Sequence, residues 1–375
     1  MNNGRSPPMF VLNGENYHQI GSLLPFPGKP PKFAQLYVYD TDNEISNRMA
    51  SVRMVDGSSS VKAGIVSDIK DMLDDCNKYV KTYRAVRNTL IENNVPSLKL
   101  RILRKRSRDG RTYSLPTASE VAVLVVGDFD ASDFDRDIIL ETQSGLLKRI
   151  SSFDPIYLPL QYPLLFPRGE DGFRPDILFS DKAKKKDMKR KFVSQKEWVA
   201  YRIQQRERDQ STIVFSKRLF QQFLVDCYSM IEHARLRWAR DHQKELRSEL
   251  YKGLAEAVLR GETNPATTGK RVVLPSTFVG GPRYMIQNYQ DAMAICGWIG
   301  YPDLFITFTC NHKWPELVEF LKLHNLNPED RPDLASRLFK VKLHRLIKEI
   351  KKGQIFGEVK AGKYISYLKH LNLLI

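Results

Sequence analysis

The sequence predicts a mixed α/β (α+β) protein of two domains, and three observations support this. The chain has 375 residues, 42% of them hydrophobic, which is enough for two domains and a substantial core. Short apolar runs bounded by Pro and Gly alternate with longer stretches of helical spacing. A basic run at 182–191 marks the best boundary. We therefore predict an upstream, β-rich domain at 1–180, a basic linker at 181–197 and a second domain at 198–375, in which helices cover a mostly antiparallel sheet.

The upstream domain opens with strand-like runs between Pro and Gly turns, and Phe33–Asp40 is the clearest strand. Apolar residues at helical spacing predict one amphipathic helix over 66–93. Further strands are predicted at 98–103 and 121–126. The loop 127–137 carries five carboxylates but lacks the glycine and the closing Glu of a calcium-binding EF-hand loop, so we favour an exposed acidic loop over a metal site.

The second domain begins with helical patterns. Ser216 is predicted to cap a long helix, and a second helix ends at Gly261. Pro282, Pro315 and Pro332 each suit the first turn of a further helix, the last two helices covering 315–323 and 332–352. Strands are predicted at 271–274 and 304–310, and a strand or hairpin at 354–367.

The stretch Leu304–Cys310 organises this domain, because it is apolar, β-branched and aromatic, as a buried strand is. Alternation places Leu304, Ile306, Phe308 and Cys310 on a dry face and Phe305, Thr307, Thr309 and Asn311 on the other. Hydroxyls and an amide beside a basic surface could hold a phosphate. An ordinary strand of any α/β domain explains the same pattern.

The charge of the chain favours a polyanionic partner. Fifty-nine basic against 43 acidic residues leave a net charge of +16, which suits nucleic acid and also an acidic membrane surface. Arg104, Lys105 and Arg106 form one cluster, interpreted either as phosphate contacts or as a solvated hairpin tip. Lys184, Lys185 and Lys186 belong to the linker, which is either a nuclear-import or DNA-backbone patch or a charged loop. Arg283 completes the candidate nucleic-acid contacts.

The sequence lacks the segments and motifs that are typical of several other classes of protein. No apolar run has the length of a transmembrane helix, and the amino terminus does not resemble a signal peptide, so we predict an intracellular protein. The four cysteines form no Cys-x-x-Cys pair, which argues against a zinc knuckle. No phosphate-binding loop of the Gly-x-x-x-x-Gly-Lys-Ser/Thr type occurs.

Two adjacent runs, LPSTFVGGPRYMIQNYQDAMAICGWIG at 274–300 and YPDLFITFTCN at 301–311, resemble the helicase-like N-terminal domain of Helitron transposases. The resemblance extends over roughly residues 5–361. In that family the strand resembles the first motif of the rolling-circle initiators, the HUH endonucleases. The resemblance implies a partial HUH-like domain, a nuclear location, and DNA as partner, either single-stranded or as transposon ends.

The HUH reaction needs a His-x-His pair, a Mg or Mn ion and a tyrosine that attacks the phosphate. None of the seven histidines, at 18, 233, 242, 312, 324, 344 and 370, lies two residues from another. Tyr364 and Tyr367 have the wrong spacing for the family's tyrosines. We therefore expect no catalytic, metal-binding or cofactor-binding residues in this chain, the cation being expected only in the complete family domain.

Three hypotheses follow. The first is a truncated piece of a Helitron transposase that binds DNA but does not nick it. The second is a domesticated nuclear protein that binds nucleic acid without transposition activity. The third is a transposase subunit completed by another chain. If the neighbouring strand of Leu304–Cys310 is missing, the open sheet edge predicts poor solubility in isolation.

Overall fold

The computed structural model describes residues 16–51, 61–93, 98–102, 122–126, 138–141, 147–180, 190–206, 211–248, 272–353 and 355–362. The chain divides into two compact units, Met1–Trp198 and Val199–Ile375. Helices and antiparallel strands both occur, as the mixed α/β class predicts. Within these described ranges, no helix combines the length and the apolar character that crossing a bilayer requires.

The described part of the first unit contains five short strands: β1 (Tyr17–Ile20), β2 (Leu98–Ile102), β3 (Ala122–Val126), β4 (Ile138–Glu141) and β5 (Lys148–Ser151). β1 pairs with β5, and β2 lies between β3 and β4, all of them antiparallel. The strands predicted at 98–103 and 121–126 are thus confirmed to within one residue. The acidic loop 127–137 lies outside the described residues.

The helices described in the first unit are α1 (Glu44–Ser51), α2 (Ala63–Cys76), α3 (Lys78–Asn93) and the short α4 (Tyr157–Gln161). The prediction of one helix over 66–93 is wrong, because the helix is interrupted at Asn77. The Asn77 backbone is extended, and its Oδ1 accepts hydrogen bonds from the backbone N–H groups of Tyr79 and Val80 at 3.0 and 3.2 Å. Asn77 therefore caps the start of α3.

The strand predicted at Phe33–Asp40 is also wrong. Phe33–Tyr37 forms a 3-10 helix, and Phe33 has a positive φ of 51° that no strand contains. The Gln35 side chain donates to the carbonyl oxygens of Ser22 and Leu24 at 3.2 and 3.1 Å. These contacts fold the segment onto the preceding turn, so tertiary contacts override the β-type composition.

An ionic cluster joins α1, α2 and α3. The Arg84 guanidinium donates to Asp74 on α2, to Glu44 on α1 and to the carbonyl oxygen of Tyr37. Glu44 is buried and is also within 2.7 Å of Arg48. Burial alone would raise the pKa of Asp74, but the hydrogen bonds from Arg84 and Lys70 outweigh it and lower that pKa.

Helix α5 (Gln195–Arg202) spans the division between the units, and the second unit continues with α6 (Arg218–Asp241), α7 (Gln243–Ser248), α8 (Pro282–Ile299), α9 (Pro315–Leu323) and α10 (Pro332–Lys351). Pro282, Pro315 and Pro332 stand at the first turns of α8, α9 and α10, as predicted. The cap predicted at Ser216 is wrong, because α6 starts at Arg218 and the Ser216 hydroxyl donates to the Ile213 carbonyl. The helix predicted to end at Gly261 lies largely outside the described residues.

The sheet predicted for the second domain is not found. In the parts of Val199–Ile375 that the structure describes there is no β-strand: 272–274, 301–311 and 355–362 are irregular or turns. Strand predictions at 271–274, 304–310 and 354–367 are therefore wrong for their described residues. The physical reason is the same in each case, since a strand exists only when a neighbouring chain segment accepts its hydrogen bonds.

Leu317 and Leu321 of α9 and Ala335 of α10 form a buried cluster in this unit. Trp314, Phe320, Leu334 and Leu338 pack around them. Cys310, near the end of the segment 301–311, also packs against this cluster.

Candidate nucleic-acid interface

The ten candidate contacts are only partly described by the structure. Arg104, Lys105 and Arg106 lie outside the described residues, and so do Lys184, Lys185 and Lys186. The described candidates are Arg283, Thr307, Thr309 and Asn311. All four belong to the second unit.

Thr307, Thr309 and Asn311 are exposed, as predicted for the polar face. The Asn311 Oδ1 accepts a hydrogen bond from the backbone N–H of Lys313 at 2.9 Å, which fixes the turn that leads into α9. Two hydroxyls and an amide are thus presented to solvent at alternate positions. Such groups can donate hydrogen bonds to phosphate oxygens.

Phe308 and Cys310 anchor the opposite side of the segment. The Phe308 ring stacks on Phe339 of α10 and on Trp314, with centroids 5.3 and 6.2 Å apart. The Cys310 thiol lies 3.7 Å from the carbonyl oxygen of Ala335. The predicted alternation of dry and polar faces therefore holds at 307–311 without a strand.

The first half of the segment departs from the prediction. Leu304 and Ile306 were expected on the dry face, yet they are exposed, and Phe305 is 96% exposed. From Tyr301 to Thr309 no backbone hydrogen bond to another described residue is present. The apolar side chains of Leu304, Phe305 and Ile306 are therefore in contact with solvent.

Arg283 stands in the first turn of α8 and is half-buried. Its Nη2 donates to the carbonyl oxygen of Leu246 at 3.2 Å. That contact holds the side chain against α7. Arg283 is consequently a weaker candidate for phosphate contact than its sequence position indicated.

The sequence-based site omitted a basic face on α10. Exposed residues in the second half of α10 lie on one face of the helix: His344, Arg345, Lys348, Lys351 and, just beyond the helix, Lys352. Arg345 pairs with Glu349 at 2.8 Å, whereas Lys348, Lys351 and Lys352 form no ion pair with a described residue. Cations at a helix carboxyl end are stabilised by the helix dipole, so this positive face needs no ligand to persist.

Lys342 brings a further charge close to the Thr-bearing segment. Its Nζ lies 5.3 Å from the centre of the Trp314 ring and 2.7 Å from Glu316. The hydrogen bond from Lys342 lowers the pKa of Glu316. Trp314 in turn stacks with Phe308, so the cation and the segment share one aromatic cluster.

Sequence reasoning also missed a buried ion pair at the start of α10. Arg331 and Asp333 are both 0% exposed, and two hydrogen bonds of 2.9 and 3.0 Å join them. The guanidinium also donates to Gln205 at 3.1 Å and lies over the rings of Phe215 and Phe320. The spacing Arg-Pro-Asp was the one available indication, because it suits a bidentate pair at a helix start.

The histidines are the residues that would bind the cation of the HUH reaction. His18 is partly buried, and its Nδ1 lies 2.8 Å from Oε1 of Gln161. The Nδ1 atoms of His242 and His324 lie within hydrogen-bond distance of the backbone carbonyl oxygens of Trp238 and Phe320, respectively. In the described ranges no three His, Cys, Asp or Glu side chains are grouped as metal ligands are. No two of the histidines in these 375 residues have the His-x-His spacing of the HUH reaction.

Part of the chain matches a known protein family. Residues 198–366 match the model of a family described as the Helitron helicase-like domain at the N-terminus. The match begins at the residue where the two compact units divide. No curated protein matches the chain in sequence.

Proposed function

Given that residues 198–366 carry a Helitron helicase-like N-terminal domain, we propose that this chain binds DNA as a transposase-related protein. The exposed basic face of α10 is the observation that carries the proposal, together with the net charge of +16. Basic side chains bind DNA by replacing the counterions of its phosphates. The polar row Thr307, Thr309 and Asn311 supplies hydrogen-bonding groups that position a backbone without reading its sequence.

Single-stranded DNA or transposon ends are the proposed form of the partner, and the nucleus the proposed location. Both rest on the Helitron-type domain. An HUH-like arrangement of this domain is likewise a proposal. The alternation of polar and apolar side chains at 307–311 supports it, although 304–309 forms no backbone hydrogen bond to a described residue. The basic run at 182–191 supports nuclear import through its charge.

We further propose that these 375 residues do not nick DNA. A phosphodiester is cut in the HUH manner only where paired imidazoles and a tyrosine meet at one phosphate. The histidine spacing in the sequence does not supply the pair. Incubation of the full chain with single-stranded DNA and Mg²⁺ or Mn²⁺ is expected to leave the DNA uncut. A covalent protein–DNA adduct on a denaturing gel would overturn this proposal.

DNA binding is tested by the dependence of affinity on salt. Fluorescence anisotropy with a labelled oligonucleotide should show log K falling linearly with log salt concentration. The double variant Lys348→Gln/Lys351→Gln should reduce the slope by roughly 1.4 for single-stranded DNA, because each phosphate contact contributes about 0.7.

A matched double variant removes the same charge elsewhere. Lys29 and Lys148 are exposed residues of the first unit outside the basic run, and Lys29→Gln/Lys148→Gln should change the slope less than the α10 variant. Affinity that does not change with salt would refute DNA binding through phosphates. Equal losses in the two variants would show that the α10 face is not the contact.

A further inference from the structure

An ion pair between α9 and α10 involves a cation at the edge of the basic face of α10. The Lys342 Nζ lies 2.7 Å from the Glu316 Oε1, and the two residues are 26 positions apart in the chain. Lys342 precedes Arg345 by three residues, so the two cations are about 4.5 Å apart along the helix axis and are neighbours on the helix surface. Lys342 therefore extends the basic face toward α9.

The same cation is close to the polar row of Thr307, Thr309 and Asn311. Its Nζ lies 5.3 Å from the centre of the Trp314 ring, and that ring stacks with Phe308, whose neighbours in sequence belong to the polar row. Both rings also stack on Phe339 of α10, at 6.5 and 5.3 Å. Because a cation is attracted to the face of an aromatic ring, this cluster positions the ammonium group between the polar row and the basic face.

We propose that Lys342 binds a phosphate of the DNA backbone, and that Glu316 occupies this lysine in the free protein, so that DNA has to displace the Glu316 carboxylate. The inference rests on the proposed function, because it names a further contact and a competitor at the same interface. Glu316 is thus an internal competitor of the phosphate, and it weakens DNA binding.

The chemistry of the pair suits such an exchange. Carboxylate and phosphate oxygens both accept charge-assisted hydrogen bonds from an ammonium group, so one can replace the other. The side chains of Lys342 and Glu316 are 29% and 57% exposed, and an ion pair in contact with water contributes little to stability. The hydrogen bond from Lys342 lowers the pKa of Glu316, so the carboxylate is charged at neutral pH and repels a phosphate until it is displaced.

The competition has a signature in the dependence of affinity on salt. When a phosphate replaces Glu316 at Lys342, the DNA releases a counterion but the freed carboxylate takes one up, so the salt slope changes little. Without the carboxylate, the phosphate contact releases its counterion and nothing is taken up. The slope for single-stranded DNA should then be steeper by about 0.7, the contribution of one phosphate contact.

Fluorescence anisotropy with the full chain and a labelled single-stranded oligonucleotide measures both affinity and slope. Glu316→Gln should bind several-fold more tightly at low salt, with a slope steeper by about 0.7. Glu319→Gln is the matched control, because Glu319 is an exposed carboxylate of the same helix that forms no ion pair with a described residue. The control should raise the affinity less and leave the slope unchanged.

The Lys342→Gln background isolates the contact itself. In that background Glu316→Gln should raise the affinity no more than Glu319→Gln does, and neither should change the slope. Thermal unfolding verifies that each variant is folded. A pair that only joined α9 to α10 would give a lower unfolding temperature for Glu316→Gln without tighter binding, which would overturn the proposal.

The remaining outcomes also decide the matter. Equal effects of Glu316→Gln and Glu319→Gln would overturn the proposal, since only the overall charge would then count. A steeper slope that persists in the Lys342→Gln background would overturn it as well. If either result accompanied salt-dependent binding by the unsubstituted chain, DNA binding would stand and only the role of Glu316 would fall. Absence of binding by every variant would refute both proposals.

Discussion

Removing the carboxylate of Asp333 should destabilise the second unit more than the loss of any surface ion pair. The Asp333→Ala variant leaves the guanidinium of Arg331 buried, with the Gln205 side chain as its remaining described hydrogen-bond acceptor. Its Nη1 already lacks a hydrogen-bond partner among the described residues. The variant therefore creates a buried charge without compensation.

The magnitude follows from the two bonds of 2.9 and 3.0 Å that are lost. Each hydrogen bond to a charged group contributes roughly 1.5–3 kcal/mol, and breaking a buried pair costs about 3–5 kcal/mol. Asp333→Asn keeps one acceptor oxygen and should cost less than Asp333→Ala. Replacing both partners, as Arg331→Met/Asp333→Leu, should recover much of the loss because no charge remains buried.

Urea unfolding followed by tryptophan fluorescence and by hydrogen exchange of α10 measures these differences. Glu349→Ala is the control, since it breaks the exposed pair with Arg345 and should leave the midpoint unchanged. A midpoint for Asp333→Ala that equals the control would refute the reasoning. So would a double variant that is less stable than Asp333→Ala.

Two further predictions concern the first unit. Burial lowers the pKa of His18, against the raising effect of its hydrogen bond with Gln161, so its neutral form is favoured in the folded state. Its contribution to stability should be complete above the ordinary pKa of 6.5 and should be lost as pH falls through the lower folded value. His18→Gln should flatten this acid-side slope in thermal unfolding, whereas His344→Gln at an exposed position should not, and an unchanged slope in both would contradict the prediction. Ser194 and Glu197 form a reciprocal cap at the start of α5, with bonds of 2.8 and 3.3 Å between backbone N–H groups and side-chain oxygens. Ser194→Ala should therefore cost about 1 kcal/mol and Ser194→Thr much less, which urea unfolding would show, and equal losses would exclude capping as the cause.

Helix positions were the most predictable part of the fold. Proline at the first turn and apolar spacing located α8, α9 and α10, because helix hydrogen bonds connect residues four apart. The break between α2 and α3 escaped the same reasoning. Apolar residues continue at helical spacing on both sides of Asn77, and only its side-chain bonds reveal the cap.

The candidate interface was predictable in its polar row and less so in its cations. Alternation identified Thr307, Thr309 and Asn311 as one exposed set. The sequence places most cations of α10 off its apolar stripe, and the structure adds that Arg345, Lys348 and Lys351 are exposed. Arg283 was predicted as a nucleic-acid contact from the sequence. In the structure its side chain donates a hydrogen bond to the carbonyl oxygen of Leu246.

The sequence by itself determined the basic charge, the match of residues 198–366 to the Helitron helicase-like domain, the helix starts and the two-faced character of 307–311. Only the tertiary structure decided that Leu304–Cys310 forms no strand with the described residues, that Phe33–Tyr37 is a 3-10 helix, and that Arg331 and Asp333 are buried together. The physical reason is the range of the interactions. Helices satisfy their hydrogen bonds locally, whereas a strand and a buried ion pair depend on partners that the local sequence does not specify.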